Sequence, residues 1–166
     1  MPVLHALALN PDLWDENRLR TTYPGTPHNE VSDIWVFFNE IPDDPATVID
    51  DKDVIPYRAW SVLPQLRPII FDLMRRVEGV RLGRVIISRM APGTKISPHV
   101  DGGAPALWYS RYQIALQSLP GCLFKAGDET VNMRTGDVWF FDNQQTHSVV
   151  NNSEDERLSI IVDIRT

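Results

Sequence analysis

Between residues 84 and 164 the chain divides into eight short runs of β-favouring residues separated by glycine, proline, asparagine and aspartate turns, and this succession limits the fold more than any other feature. The runs are 84–90, 95–101, 108–117, 121–125, 129–133, 137–141, 146–150 and 157–164, with turn signals at Pro92-Gly93, Pro120-Gly121, Gly127-Asp128, Thr135-Gly136 and Asn151-Asn152. Short strands joined by short turns pair antiparallel. Eight of them in sequence fit a double-stranded β-helix, or jelly roll, in which the second and seventh strands are neighbours at the barrel mouth.

Ahead of the strands the pattern is helical and looped. Asn10-Pro11 has the form of a helix start, with an asparagine cap, proline in the first turn and acids near the positive end of the dipole, and that helix is predicted to end near Thr21. Ile34 to Phe38 is a β-rich run able to extend one sheet, and the acidic, proline-punctuated stretch 41–53 reads as a surface loop. Leu66, Ile69, Ile70, Leu73 and Val77 recur at helical spacing, which predicts a helix within 64–77, with Pro68 in its first turn and Gly79 as terminator. The expected organisation is one mainly β domain over 1–166, residues 1–83 forming a helical and looped buttress whose helices pack on one sheet of an 84–166 jelly-roll core.

Net charge is −6, from 16 basic and 22 acidic residues, so no overall field attracts a phosphate backbone, and the cluster Arg67, Arg75, Arg76, Arg81 and Arg84 lacks interleaved aromatics. Nucleic acid is not the expected partner. Cys122 is the only cysteine, which excludes an intrachain disulfide framework, fits a reducing compartment and reads as a small buried hydrophobe. No stretch approaches the ~20 apolar residues of a membrane span, and the first residues lack a basic signal-peptide region. A cytoplasmic protein is expected, with nothing fixing its oligomeric state.

The second predicted strand carries His99 and Asp101 at i and i+2, which in an extended segment leave the same face. The seventh carries His147. One carboxylate and two imidazoles form the facial set that suits a non-haem Fe(II) with open coordination positions. Arg157 enters the next strand after a polar turn, which places a fixed cation near the metal. Its planar fork of donors matches a carboxylate, as anchoring the far end of a dicarboxylate cosubstrate requires. Its bland alternative is an ion pair with Asp163 or Glu156. His5 and His28 have no partner at ligand spacing and read as surface or packing residues.

His99-x-Asp101, His147 and Arg157, with Arg111 on the strand between, resemble the aspartyl/asparaginyl β-hydroxylase-like family of Fe(II)- and 2-oxoglutarate-dependent oxygenases, which includes bacterial proline hydroxylases. The resemblance covers 84–164 and is strongest from residue 136. Some animal members lack the carboxylate ligand and halogenase relatives lose it, whereas Asp101 is present, so the resemblance leans toward the bacterial amino-acid hydroxylases. It implies a cupin-like double-stranded β-helix; Fe(II) on His99, Asp101 and His147; 2-oxoglutarate as cosubstrate; and O2 as oxidant. It further implies Arg157 on the distal carboxylate and Arg111 on cosubstrate or substrate. The reaction implied is hydroxylation of a free amino acid such as proline, or of an aspartyl, asparaginyl or prolyl side chain in a peptide, with release of succinate and CO2. Trp108 and Tyr109 are candidates for an apolar substrate wall and Gln113 for a hydrogen bond to cosubstrate or substrate, though Trp108 and Tyr109 equally suit core packing. Trp139, Phe140 and Phe141 read as packing. A cupin-like metalloenzyme without 2-oxoglutarate, or a non-catalytic jelly-roll binding domain, would keep the same fold and need no arginine near the metal.

Overall fold

Among the described residues ten strands make two antiparallel sheets, and the polarity of alternate residues decides which face of each is covered. The computed structural model describes residues 2–44 and 51–166. The chain runs α1 (Pro2–Leu9), a 3-10 turn (Pro11–Leu13), α2 (Leu19–Thr22), β1 (Ser32–Phe38), β2 (Ile55–Pro56), α3 (Arg58–Val62) and α4 (Leu66–Arg76). It continues through β3 (Arg81–Met90), β4 (Lys95–His99), α5 (Gly103–Trp108), β5 (Ser110–Gln117), β6 (Cys122–Ala126) and β7 (Glu129–Val131). The last elements are β8 (Val138–Phe141), β9 (His147–Asn151) and β10 (Arg157–Arg165). A six-stranded sheet has the order β2-β1-β3-β10-β5-β8, and a four-stranded sheet the order β4-β9-β6-β7.

One face of the larger sheet presents Ile34, Val36, Val85, Ile87, Ile160 and Val162, and these pack against Leu7 of α1, Leu63 after α3, and Leu66, Ile70 and Leu73 of α4. Helices from before residue 84 thus pack on one sheet, as expected, while β1 and β2 from the same region extend that sheet. The opposite face contributes Met90 and Ala115 to a second cluster with Ile96, Phe124, Phe141 and Val149, which fills the space between the sheets. Trp35, Phe38, Ile86 and Ile161 form a third cluster toward one end. No helix among the described residues is long and apolar enough to cross a membrane.

All eight predicted strands occur, within a few residues of their expected ends. The helical region departs further. The helix expected from Asn10 to Thr21 is broken into a 3-10 turn and the short α2, because Asp15 adopts a left-handed φ of 59° that no continuous helix accommodates. The apolar first residues form α1 instead. Helix α4 ends at Arg76, but the left-handed residue is Glu78 (φ 55°), not Gly79. Gly79 is small for another reason, since a Cβ there would collide with Ile164 Cγ2. Trp108 closes a short helix and does not begin a strand. The acidic stretch 41–53 lies partly outside the described residues.

Candidate metal centre

His99 ends β4 and His147 begins β9, and the two are direct cross-strand partners. Their ring centroids stand 4.2 Å apart. Each ring is oriented in the same way: His99 Nδ1 lies 2.8 Å from the Ser97 carbonyl oxygen, and His147 Nδ1 lies 3.0 Å from that of Gln145. A carbonyl only accepts, so each Nδ1 carries the proton and each Nε2 keeps a lone pair for a metal. Asp101 falls just past the end of β4, tethered by its N–H to the Asn143 carbonyl (3.2 Å). Its Oδ1 is 3.5 Å from His99 Nε2 and its Oδ2 is 3.7 Å from His147 Nε2. The three ligand atoms lie within 4.8 Å of one another. Metal bonds of ~2.1 Å bring such atoms to about 3 Å apart, so a small contraction completes the site. Burial works against ionisation of Asp101, but the His99 contact and the charge of Arg111 outweigh it, so its carboxyl is held well below the usual range. Burial also pushes His147 down, favouring the neutral imidazole that a metal needs.

Arg111 stands directly behind the carboxylate ligand. Its Nε and Nη2 donate to the two oxygens of Asp163 (2.7 and 2.8 Å) and its Nη1 to Asp101 Oδ2 (2.5 Å). The sequence reading that Arg111 contacts cosubstrate or substrate meets a residue already engaged with two carboxylates. Asp163, considered from the sequence only as a partner for Arg157, is its cross-strand partner on β10. The available signal was one acid in an otherwise apolar run.

Arg157 is different. Only 3% exposed, it faces Gln113 Oε1 (Nη2, 2.9 Å), Ser159 Oγ (Nη1, 3.1 Å) and Met90 Sδ, with no carboxylate partner among the described residues. Burial lowers its pKa to about 10. The bland alternatives fail: Asp163 is bound to Arg111, and Glu156 lies nearest Arg89. Across from Ser159 sits Ser88, whose buried hydroxyl has no partner. An uncompensated guanidinium beside unpartnered hydrogen-bonding groups is costly unless an anion completes it.

These features meet a known pattern. The family model described as aspartyl/asparaginyl β-hydroxylase matches residues 51–166. The chain belongs to that family. It is 36% identical over 56 residues to L-proline cis-3-hydroxylase 1 of a Streptomyces species, a match spanning 34% of this chain and 19% of that protein. An oxidoreductase of the 2OG-Fe(II) oxygenase family from Burkholderia pseudomallei superposes with a TM-score of 0.59 at 13% identity, covering 81% of this chain and 66% of that one. A cupin domain from Bordetella pertussis superposes with a TM-score of 0.41 at 17% identity, covering 52% of this chain and 84% of that one.

In this β-hydroxylase-family chain a cleft of ≈ 460 Å³ opens beside His99 and Asp101, lined among others by Arg20, His28, Phe38 and Arg84. Gln113 and His147 lie deeper, on a small cavity that also meets Arg20, His28 and Arg111. Trp108 and Tyr109 line neither. The Trp108 ring is flanked by Lys52, Arg81 and Arg165, each 5.3 Å from its centroid. Tyr109 is buried against Gly83 and donates its hydroxyl to the Lys52 carbonyl (2.7 Å). Both therefore serve packing at the sheet's end, where the short helix α5 turns them from the cleft. Gly83→Ala, whose Cβ would stand 2.8 Å from Tyr109 Cζ and 3.0 Å from Asp163 Cβ, is expected to lower unfolding free energy by about 1–3 kcal/mol in urea titration.

Of the two roles the sequence leaves His28, surface or packing, the structure shows the buried one. It is buried against His99, ring centroids 4.9 Å apart at 78°, and burial, with Arg20 nearby, pushes its pKa down to about 2. Arg20 is held by a fully buried Asp33 carboxylate at 2.5 Å. Arg84 lies over the Phe38 ring (4.4 Å) and donates from its Nε to Asn39 Oδ1 (2.9 Å). No local motif marks these residues, because they reach the cleft only through long-range pairing.

Proposed function

We propose that the chain is an Fe(II)- and 2-oxoglutarate-dependent dioxygenase that hydroxylates an amino acid. The substrate is either a free amino acid such as proline or an aspartyl, asparaginyl or prolyl side chain in a peptide. The balance is substrate C–H, 2-oxoglutarate and O2 giving substrate C–OH, succinate and CO2. The observation that carries the reading is Arg157: a buried cation on β10, bonded to the Gln113 that shares a cavity with the metal triad, and without a carboxylate partner among the described residues.

The residues fit both groups. His99, Asp101 and His147 offer two neutral nitrogens and one carboxylate on one side of an ion and leave its other positions open. Fe(II) with 2-oxoglutarate bound there supplies the activation of O2 that C–H hydroxylation needs. Arg157 and the Ser88 hydroxyl suit the distal carboxylate of the cosubstrate, with Gln113 Oε1 moving aside from the guanidinium to admit it. Arg111 is a positioning residue in this scheme: with Asp163 as its brace it fixes the carboxylate of Asp101 toward the metal. Arg84, on the cleft wall, suits a carboxylate borne by the substrate.

The test is turnover with Fe(II), ascorbate and 2-oxoglutarate in air against the free amino acids and short Asp-, Asn- or Pro-containing peptides. The expected result is succinate release roughly ten-fold above background for one of these, in step with a product heavier by one oxygen atom. Succinate release that no amino acid or peptide stimulates would contradict the reading.

A further inference from the structure

The family match begins at residue 51, yet one wall of the cleft comes from before it, through Leu19, Arg20, Tyr23, Pro27 and His28. This wall is built, not draped. Asp33 on β1 holds Arg20, the Thr26 hydroxyl donates to the Arg20 carbonyl (2.7 Å) and accepts the His28 N–H (3.1 Å), and the Ser97 N–H donates to the Pro27 carbonyl (3.3 Å). The last of these ties the wall to β4, the strand that ends in His99. Its outcome is the position of His28, whose ring meets both the open cleft and the small cavity at the metal ligands.

The ring is incompletely used. His28 Nδ1 is sealed from solvent and has no hydrogen-bond partner. A neutral imidazole donates from one nitrogen and accepts at the other, and an orphaned buried N–H is rarer in native structures than an under-satisfied acceptor. The proton therefore belongs on Nε2, which makes the other edge of the ring a donor. The cleft it meets is lined also by Arg20, Arg84 and Arg111.

We propose that His28 is a specificity-determining residue that binds substrate, its Nε2–H donating to a carboxylate oxygen of a small free amino acid held in the cleft between Arg84 and the metal ligands. This rests on the dioxygenase reading above and narrows it to a free amino acid, with residues 19–28 as the recognition wall. The competing role for the ring is packing alone, as an edge against His99.

Two variants separate the roles. Gln places an amide N–H near the position of Nε2, whereas Phe keeps an aromatic ring and loses every donor. Wild type, His28→Gln and His28→Phe are loaded anaerobically with Fe(II) and 2-oxoglutarate, and the visible band of the chelate is titrated with each of the twenty free amino acids. All three proteins are expected to form the band at similar 2-oxoglutarate concentration. The amino acid that perturbs it in wild type should require roughly 10- to 100-fold more in His28→Phe and only a few-fold more in His28→Gln. The proposal is overturned by a His28→Phe response equal to wild type, by equal impairment of both variants, by loss of the band in both variants, or by a wild-type band that no amino acid perturbs. A wild-type protein that forms no band at all overturns instead the dioxygenase reading beneath it.

Discussion

Arg157→Met is expected to weaken 2-oxoglutarate binding about a hundred-fold while leaving the unfolding free energy of the cosubstrate-free protein within about 1 kcal/mol of wild type. The two halves of this expectation have one cause. The guanidinium is buried among Gln113, Ser159 and Met90 and faces no carboxylate among the described residues, and burial lowers its pKa to about 10. Removing it deletes two hydrogen bonds to neutral acceptors, Gln113 and Ser159, together with an uncompensated charge, and a methionine of similar length fills the space. Under the proposed function, bound cosubstrate would give the same guanidinium a desolvated carboxylate, and that pairing is what the variant would lose. Thermal unfolding of the apoprotein beside a 2-oxoglutarate titration checks both halves. A variant several kcal/mol less stable with unchanged affinity would make Arg157 a structural residue.

Arg111→Met should do the reverse, costing about 3–5 kcal/mol of folding free energy in urea titration. Here the cation is bound bidentately to Asp163, whose side chain is 1% exposed, and also to Asp101. Truncating it leaves buried carboxylates without a counter-charge, a loss that is a large fraction of an ordinary domain's stability. Asp163→Asn in the same background should recover part of the loss, since it removes the stranded charge. Added Fe(II) should recover another part through Asp101, but none through Asp163. A stability change below about 1 kcal/mol would contradict the bracing role.

The contrast between these arginines shows where sequence reading stops. His99-x-Asp101, His147 and Arg157 were legible because short strands and turns leave few ways to arrange eight runs, and the first three then meet at adjacent strand ends. What each arginine faces was not legible, since it depends on register: Arg111 lies opposite Asp163, whereas Arg157 lies opposite Met90. A lone acid in the apolar run of β10 and a lone serine in that of β3 were available hints. For Trp108 and Tyr109 the sequence left substrate wall and core packing open, and the helical turn after Asp101 puts neither residue on the cleft. His28 and Arg20 carried no signal, because no periodicity links residues 19–28 to a strand that begins at Lys95.

Whether Fe(II) and 2-oxoglutarate bind together between the two sheets is decided by anaerobic titration of the purified apoprotein with Fe(II) and then 2-oxoglutarate. The expected result is a visible charge-transfer band that requires both additions and is absent in His99→Ala. Bound metal with no band at any 2-oxoglutarate concentration would contradict it and favour a metalloenzyme that dispenses with the cosubstrate.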